Sequence, residues 1–245
     1  MRNILNKIYV HPIFIITAFV CALIGEFKLF TAFTLLILSH EVGHIIFSII
    51  FKWKIDKIII LPFGGLTKFK SFLNKPLLEE FIICIMGPIF QMIFFILLKD
   101  NIDYKYFIFC NYLILLFNLL PIYPLDGSKM FNIILNKITS FYTGYILTIL
   151  ISYLVIFIFI INTIHISFIA LFISIFLFKE NIDSYLNRNI IFNKFLLERY
   201  MYKIKFKKIK IINNIKKMKR DYYHIFYKNN TYEKEDNILA KMFDK

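Results

Sequence analysis

Acidic side chains are scarce in this sequence: 16 Asp and Glu stand against 30 Lys and Arg, and charged residues fill only 19% of the 245 positions. So little charge sits below the usual share of a soluble domain. The excess of basic residues is compatible with nucleic acid, with anionic lipid or with loop orientation in a membrane, and only their distribution separates these. Cysteine is nearly absent. Cys21, Cys84 and Cys110 lie in three separate apolar segments with no C-x-x-C or other paired spacing. That excludes a disulfide framework or a cysteine metal site and leaves small buried apolar residues. The first apolar stretch lacks an A-x-A-like end and the next follows almost at once, so no cleavable signal peptide is expected.

What remains is strongly apolar: 59% hydrophobic and 19% aromatic residues, with a mean hydropathy of +0.66. Six segments are long enough, or nearly so, to cross a hydrocarbon core of roughly 30 Å: about Pro12 to Gly25, Leu29 to Phe51, Phe81 to Leu98, Tyr106 to Leu120, Phe141 to Ile161 and Ile164 to Phe178. They predict an all-α polytopic membrane protein with about six transmembrane helices over residues 1–180, followed by a basic cytosolic tail over 181–245. Before the tail, ten Lys and Arg fall on the side of the amino terminus and three, Lys28, Lys99 and Lys105, on the other. Both termini are therefore expected in the cytoplasm.

The second segment carries S-H-E-V-G-H, Ser39 to His44. On a helix His40 and His44 stand one turn apart on one face, where two imidazoles can share one zinc ion. Glu41 lies beside that position without having to bind, which is where a general base must be to take a proton from a metal-acidified water. Charge at the centre of a lipid-crossing helix costs roughly 2.5 to 3.5 kcal/mol on insertion, so these residues are expected to serve function. The bland alternative, a chance H-x-x-x-H in a soluble core helix, suits a far less apolar chain.

Between the second and third segments, Ile58 to Leu66 reads I-I-I-L-P-F-G-G-L, broken by Pro62, Gly64 and Gly65. It is either a strand-like or re-entrant loop whose edge could hold an extended peptide, or a greasy interfacial loop. Gly87-Pro88 should kink the third segment or let a neighbour approach closely. The fourth ends in N-L-L-P-I-Y-P-L-D-G, Asn118 to Gly127, where Pro121 and Pro124 stop the helix and put Asp126 on an irregular segment. Asp126 is then either a turn or cap residue or the third protein ligand that a catalytic zinc requires, and the paired histidines favour the ligand. In the tail a helix is expected over Lys179 to Met201, strands over Lys203 to Ile211 and Asp221 to Lys228, and a short helix over Asp236 to Phe243, a small mixed α/β appendage. Its lysines suit anionic membrane lipid; no nucleic-acid motif accompanies them, so no nucleic-acid partner is expected. His11, His165 and His224 are isolated and receive no metal role.

Several stretches together carry a resemblance: V-H-P (Val10 to Pro12), H-E-V-G-H, L-P-F-G-G (Leu61 to Gly65), K-P-L-L-E-E-F (Lys75 to Phe81), Gly87-Pro88, N-L-L-P-I-Y-P-L-D-G and F-L-L-E-R-Y (Phe195 to Tyr200). In these the chain resembles the site-2 intramembrane metalloproteases, peptidase family M50, and within them the sporulation branch. The resemblance implies a site-2 protease core and one Zn2+ per chain held by His40, His44 and Asp126. It also implies Glu41 as the catalytic residue and Asn118 near the substrate, which the Gly64–Gly65 loop would also meet. The implied activity is a zinc metalloendopeptidase cutting a membrane-associated substrate on the cytosolic side, the sigma-factor precursor pro-sigma-K during sporulation, under the control of inhibitory membrane proteins. Two departures stand out. Gln91 occupies a place where many site-2 proteases carry an asparagine, and it is assigned no role. The sporulation branch ends in a CBS domain, and the tail after Tyr200 resembles a shortened one. A membrane metal-ion transporter is the alternative, because intramembrane His and acidic residues also mark ion pathways. It should show polar ligands on several spans and often an inverted repeat, whereas Glu41 is the one acidic residue deep in a span.

Overall fold

In the computed structural model, residues 7–61, 64–70, 73–98, 104–163, 168–204, 206, 208–228 and 230–244 are described. The chain divides into two units, Met1–Phe72 with Phe81–Leu119, and Leu73–Glu80 with Leu120–Lys245.

In the first unit β1 (Ile8–Val10) leads into α1 (Pro12–Ile24). Pro12 sits where a helix has no use for its N–H, and His11 Nδ1 accepts from Ile13 N at 3.3 Å. Gly25 ends α1 at φ 85°, and α2 (Phe27–Ile50) follows at once. Ile15, Phe19 and Leu23 of α1 are 61–72% exposed, an apolar face that suits lipid. The buried positions of α2, Ala32, Leu36, His40, Gly43, His44 and Ser48, recur at three- and four-residue spacing, so one stripe carries both the packing and the polar groups. Its apolar part packs with Phe95 of α3 (Leu77–Leu98) and with Phe107, Cys110 and Ile114 of α4 (Tyr104–Leu119). Strands β2 (Ile55–Leu61) and β3 (Gly64–Phe69) form an antiparallel hairpin, and β1 adds in parallel to β2, pairing Ile8 with Ile58 and Val10 with Ile60. Strand order is β1-β2-β3, which leaves β3 at an edge.

In the second unit the Pro121–Pro124 stretch, with a cis Tyr123–Pro124 peptide, is tied down by side chains of two helices. Ser152 of α6 (Phe141–Thr163) donates to Pro121 O and accepts from Tyr123 N, and Asn181 of α7 (Phe168–Leu186) donates to Tyr123 O at 2.9 Å. Between them α5 (Asp126–Ile138) buries Gly127, Ile133 and Asn136 while Ile134 and Ile138 are exposed. The tail continues as α8 (Arg188–Tyr202), β4 (Lys208–Ile212), a 3-10 turn at Ile215–Lys217, β5 (Tyr222–Lys228), β6 (Thr231–Lys234) and α9 (Glu235–Phe243). Strands β4 and β5 run parallel and β5 and β6 antiparallel. A buried polar cluster holds the tail together: Arg199 donates to Asn74 Oδ1, to the Tyr222 and Lys219 carbonyls and to Glu235, and Arg220 pairs with Glu80 at 2.5 Å.

Several expectations need correction. The chain is mostly helical, as the fold class expects, but it is not purely so: Ile8–Val10, Ile55–Leu61 and Gly64–Phe69 pair into the β1-β2-β3 sheet. Among the described residues three helices are long and apolar enough to cross a membrane, Phe27–Ile50, Leu77–Leu98 and Phe141–Asn162, and two shorter apolar ones are Pro12–Ile24 and Lys105–Leu119. The sixth expected segment begins in residues 164–167, outside the described ones, as do Pro62, Phe63, Lys99 and His165. The single helix expected over Lys179 to Met201 is interrupted at Asn187, with α7 running on to Leu186. The expected strand at Lys203 is delayed to Lys208 because α8 runs to Tyr202. Asp126 is the first residue of α5, so it does not lie on an irregular segment. The mixed α/β tail matches its expectation, with β6 added, and Cys84 and Cys110 are buried and all three cysteines unbridged.

Candidate metal centre

His40, Glu41 and His44 are buried at 2%, 5% and 5% exposure on the inward stripe of α2. The two imidazoles stand with ring centroids 4.8 Å apart. Each is oriented from behind by a different element. His44 Nδ1 lies 2.7 Å from the Ile83 carbonyl of α3, a pure acceptor, so Nδ1 carries the proton and Nε2 the lone pair. His40 Nδ1 lies 2.9 Å from Gln91 Oε1, while Gln91 Nε2 donates at 3.0 Å to both the carbonyl and the Oδ1 of Asn111. The Asn111 carbonyl accepts only an amide nitrogen, which fixes the Gln91 flip and makes His40 Nδ1 a donor as well. Both Nε2 atoms therefore present lone pairs, the state a metal ligand needs.

Gly87 explains the space in front of them. A Cβ built there would stand 2.7 Å from His40 Nε2 and closer still to His44 Nε2. Zinc–nitrogen bonds are about 2.0–2.1 Å long, so that Cβ would occupy the volume an ion needs. The absence of a side chain at residue 87 is what makes the cradle, and the donor set fits zinc.

Glu41 is held from the hairpin. Thr67 Oγ1 donates to Glu41 Oε2 at 2.8 Å, and the backbone at Gly65 passes so close to the Glu41 carboxyl that any Cβ would overlap it. Gly65 and Thr67 alternate along β3 and so share the face turned to Glu41. Asn118, 7% exposed, lies at the end of α4 two turns beyond Asn111, with its Oδ1 beside Gly64. Asp126, 6% exposed, opens α5; Lys129 Nζ meets its Oδ1 at 2.7 Å, and a carboxylate keeps ligand capacity beyond one such pair.

Sequence reasoning missed Gln91, Asn111, Ile83 and Thr67. Of these Thr67 was within reach, since a strand through Gly65 puts residue 67 on the same face; the Ile83 carbonyl carries no side-chain signal at all. His11 caps a helix, and His224 sits in the buried polar cluster of the tail against Glu235.

The sequence model of Peptidase family M50 matches residues 28–99. Stage IV sporulation protein FB of Bacillus subtilis (strain 168) is 32% identical over 209 residues, covering 81% of this chain and 73% of that protein. Among solved structures, a site-2 protease from Methanocaldococcus jannaschii aligns with a TM-score of 0.59 at 23% identity, covering 72% of this chain and 89% of its own. That last likeness speaks for the fold.

Proposed function

Because the chain belongs to peptidase family M50, the site-2 metalloproteases, we propose that it is an intramembrane zinc endopeptidase acting on a membrane-associated substrate from the cytosolic side. The observation that carries the reading is the pair of buried histidines tied back through Nδ1, with both Nε2 lone pairs turned to the Gly87 cradle. His40, His44 and Asp126 would hold the ion: a catalytic zinc takes three protein ligands, and a carboxylate would complete the pair of imidazoles. When bound, zinc supplies an acidified water and polarises the substrate carbonyl.

The remaining work falls to the chain's own groups. Glu41 accepts the proton from the attacking water and returns it to the leaving amine. Thr67 keeps one of its oxygens engaged, so the carboxylate faces the cradle in one orientation. The edge of β3 offers main-chain hydrogen bonds to an extended peptide, and Gly64, Gly65 and Asn118 would lie along it. Helices α2, α3 and α6 are apolar enough to cross a membrane, the apolar segments of the sequence favour about six spans, and the distribution of lysines then favours both termini in the cytoplasm. The transporter alternative finds no support in the comparisons, which match a peptidase family model and the structure of a site-2 protease.

The sporulation relative supports pro-sigma-K as substrate and inhibitory membrane proteins as regulators. Co-expression with pro-sigma-K tests it: the native chain should yield the shortened sigma factor and Glu41→Gln should not, while the variant stays inserted and zinc-loaded. Substantial processing by Glu41→Gln would remove that residue from the mechanism.

A further inference from the structure

We propose that a cavity at the start of α6 binds the headgroup phosphate of an anionic phospholipid. The cavity, about 520 Å3, is lined by Ser140 and Thr143 on one side and by Lys210, Lys217 and Lys219 on the other. Among the described residues no carboxylate pairs with any of these three lysines. Lys210 is a neighbour of Lys219, and burial and then the charge of that neighbouring ammonium push the Lys219 amine below its ordinary value. Like charges gathered this closely call for a counter-anion. The site is also fixed in place: Met218 O accepts from Phe141 N at 2.9 Å, and Lys219 Nζ donates to the Ile138 carbonyl, so the lysine-bearing turn is bonded to the foot of the helix. The Ser140 and Thr143 hydroxyls, 2.9 Å apart, share one hydrogen and leave the other for a ligand oxygen.

Position selects a lipid over a soluble phosphate. Helix α6 is long and apolar enough to cross a membrane and begins at Phe141, so a cavity at its first turn sits at headgroup depth. Ile138 and Ile211, which line it, are 70% and 58% exposed, as is Ile209 at 64%. Isoleucines beside lysines face water on both counts in a soluble anion site, but at a bilayer surface they meet acyl chain and phosphate together.

The test titrates the detergent-solubilised full chain with short-chain phosphatidylglycerol or phosphatidylcholine and scores bound lipid by native mass spectrometry. Phosphatidylglycerol should bind preferentially, and changing Lys210, Lys217 and Lys219 together to Gln should weaken it roughly a hundredfold, at the scale expected for three basic residues at an anionic surface. The same three changed to Arg should retain binding, as should a control with Lys179, Lys203 and Lys234 changed to Gln, which removes equal charge elsewhere. Inorganic phosphate should not displace the lipid. Equal binding of the two lipids, unchanged binding by the Gln variant, equal loss in the control, or displacement by inorganic phosphate would each overturn the proposal.

Discussion

Gln91→Leu keeps the bulk of the side chain and removes a relay. In the native protein the fully buried Gln91 accepts from His40 Nδ1 and donates to two oxygens of Asn111. Leucine leaves the His40 N–H without its acceptor inside the bundle, at a cost of about 1–3 kcal/mol for a buried unsatisfied group. The imidazole can recover part of that by rotating or by moving its proton to Nε2, and either response removes the lone pair from the cradle. Zinc affinity should therefore fall, and outer partners of this kind are worth roughly 10–100-fold. Competition against a chromophoric chelator measures the affinity on purified protein, and cleavage of the co-expressed substrate measures activity. Both should drop together, since one ligand is misaimed. Zinc affinity within twofold of the native value would refute the relay and return Gln91 to simple packing.

Gly87→Ala should be harsher, because its Cβ enters the space between the two Nε2 atoms; the purified variant should contain little zinc on elemental analysis, and a full complement would place the ion elsewhere. Thr67→Val should keep zinc and lower turnover about tenfold, the scale of one hydrogen bond to a charged group, and an unchanged rate would show that Glu41 needs no such tether. Asp126→Asn should reduce metal content and activity together, since an amide is a weaker zinc ligand than a carboxylate; full zinc with full activity would leave Asp126 as a helix-start residue. The tail should lose stability as pH falls. Burial holds His224 neutral and below its ordinary 6.5, so the unfolded chain takes up that proton first and stability declines below about pH 6.5. Glu235, which burial alone would raise, is held below its ordinary 4.5 by the hydrogen bond from His224 and the charge of Arg199, adding a second loss below about pH 4.5. Limited proteolysis of the tail across pH 7 to 4 should show the upper step vanish in His224→Gln, and a flat profile in the native chain would contradict the assignment.

The parts of the site legible in the sequence are those where chemistry needs a residue type at a helical interval. His40, Glu41 and His44 declare themselves because two imidazoles four apart have few other uses in an apolar helix. Gly87 was visible as a close approach, but not what approaches it, since nothing local says that two Nε2 atoms face that turn. Gln91 was noticed only as a departure and given no role, and Asn111 went unremarked, because a glutamine and an asparagine in apolar helices carry no spacing signal; their roles exist only once α3 and α4 pack against α2. The hairpin was half legible. Pro62 and the glycines stop a helix, and the β-branched run at Ile58 to Ile60 favours extension, but pairing with Ile8 to Val10 is a contact across some fifty residues that alternation alone does not reveal. The break at Asn187 was hidden for another reason: no proline or glycine marks it, and the asparagine there is only a mild helix breaker.

Strand β3 meets the catalytic base and the expected peptide path through different parts of its backbone unit. Its side-chain face holds Glu41, through Thr67 and the bare backbone at Gly65, while its edge carries the main-chain groups that a peptide would pair. A strand with one free edge is softer than one paired on both sides, because half of its backbone groups lack a partner that resists displacement. Pairing a peptide along that edge would stiffen β3, and with it the Thr67 hydroxyl that aims Glu41. On this reasoning Thr67→Val should cost less in turnover for a peptide that pairs poorly with the edge than for one that pairs well. Proline placed where the substrate would donate to β3 supplies the poor pairing, since proline has no N–H to give. Measured with the native chain and Thr67→Val against both peptides, the two changes should then reduce turnover by less than the product of their separate effects. Independent, multiplicative losses would mean that the edge binds substrate without setting the base.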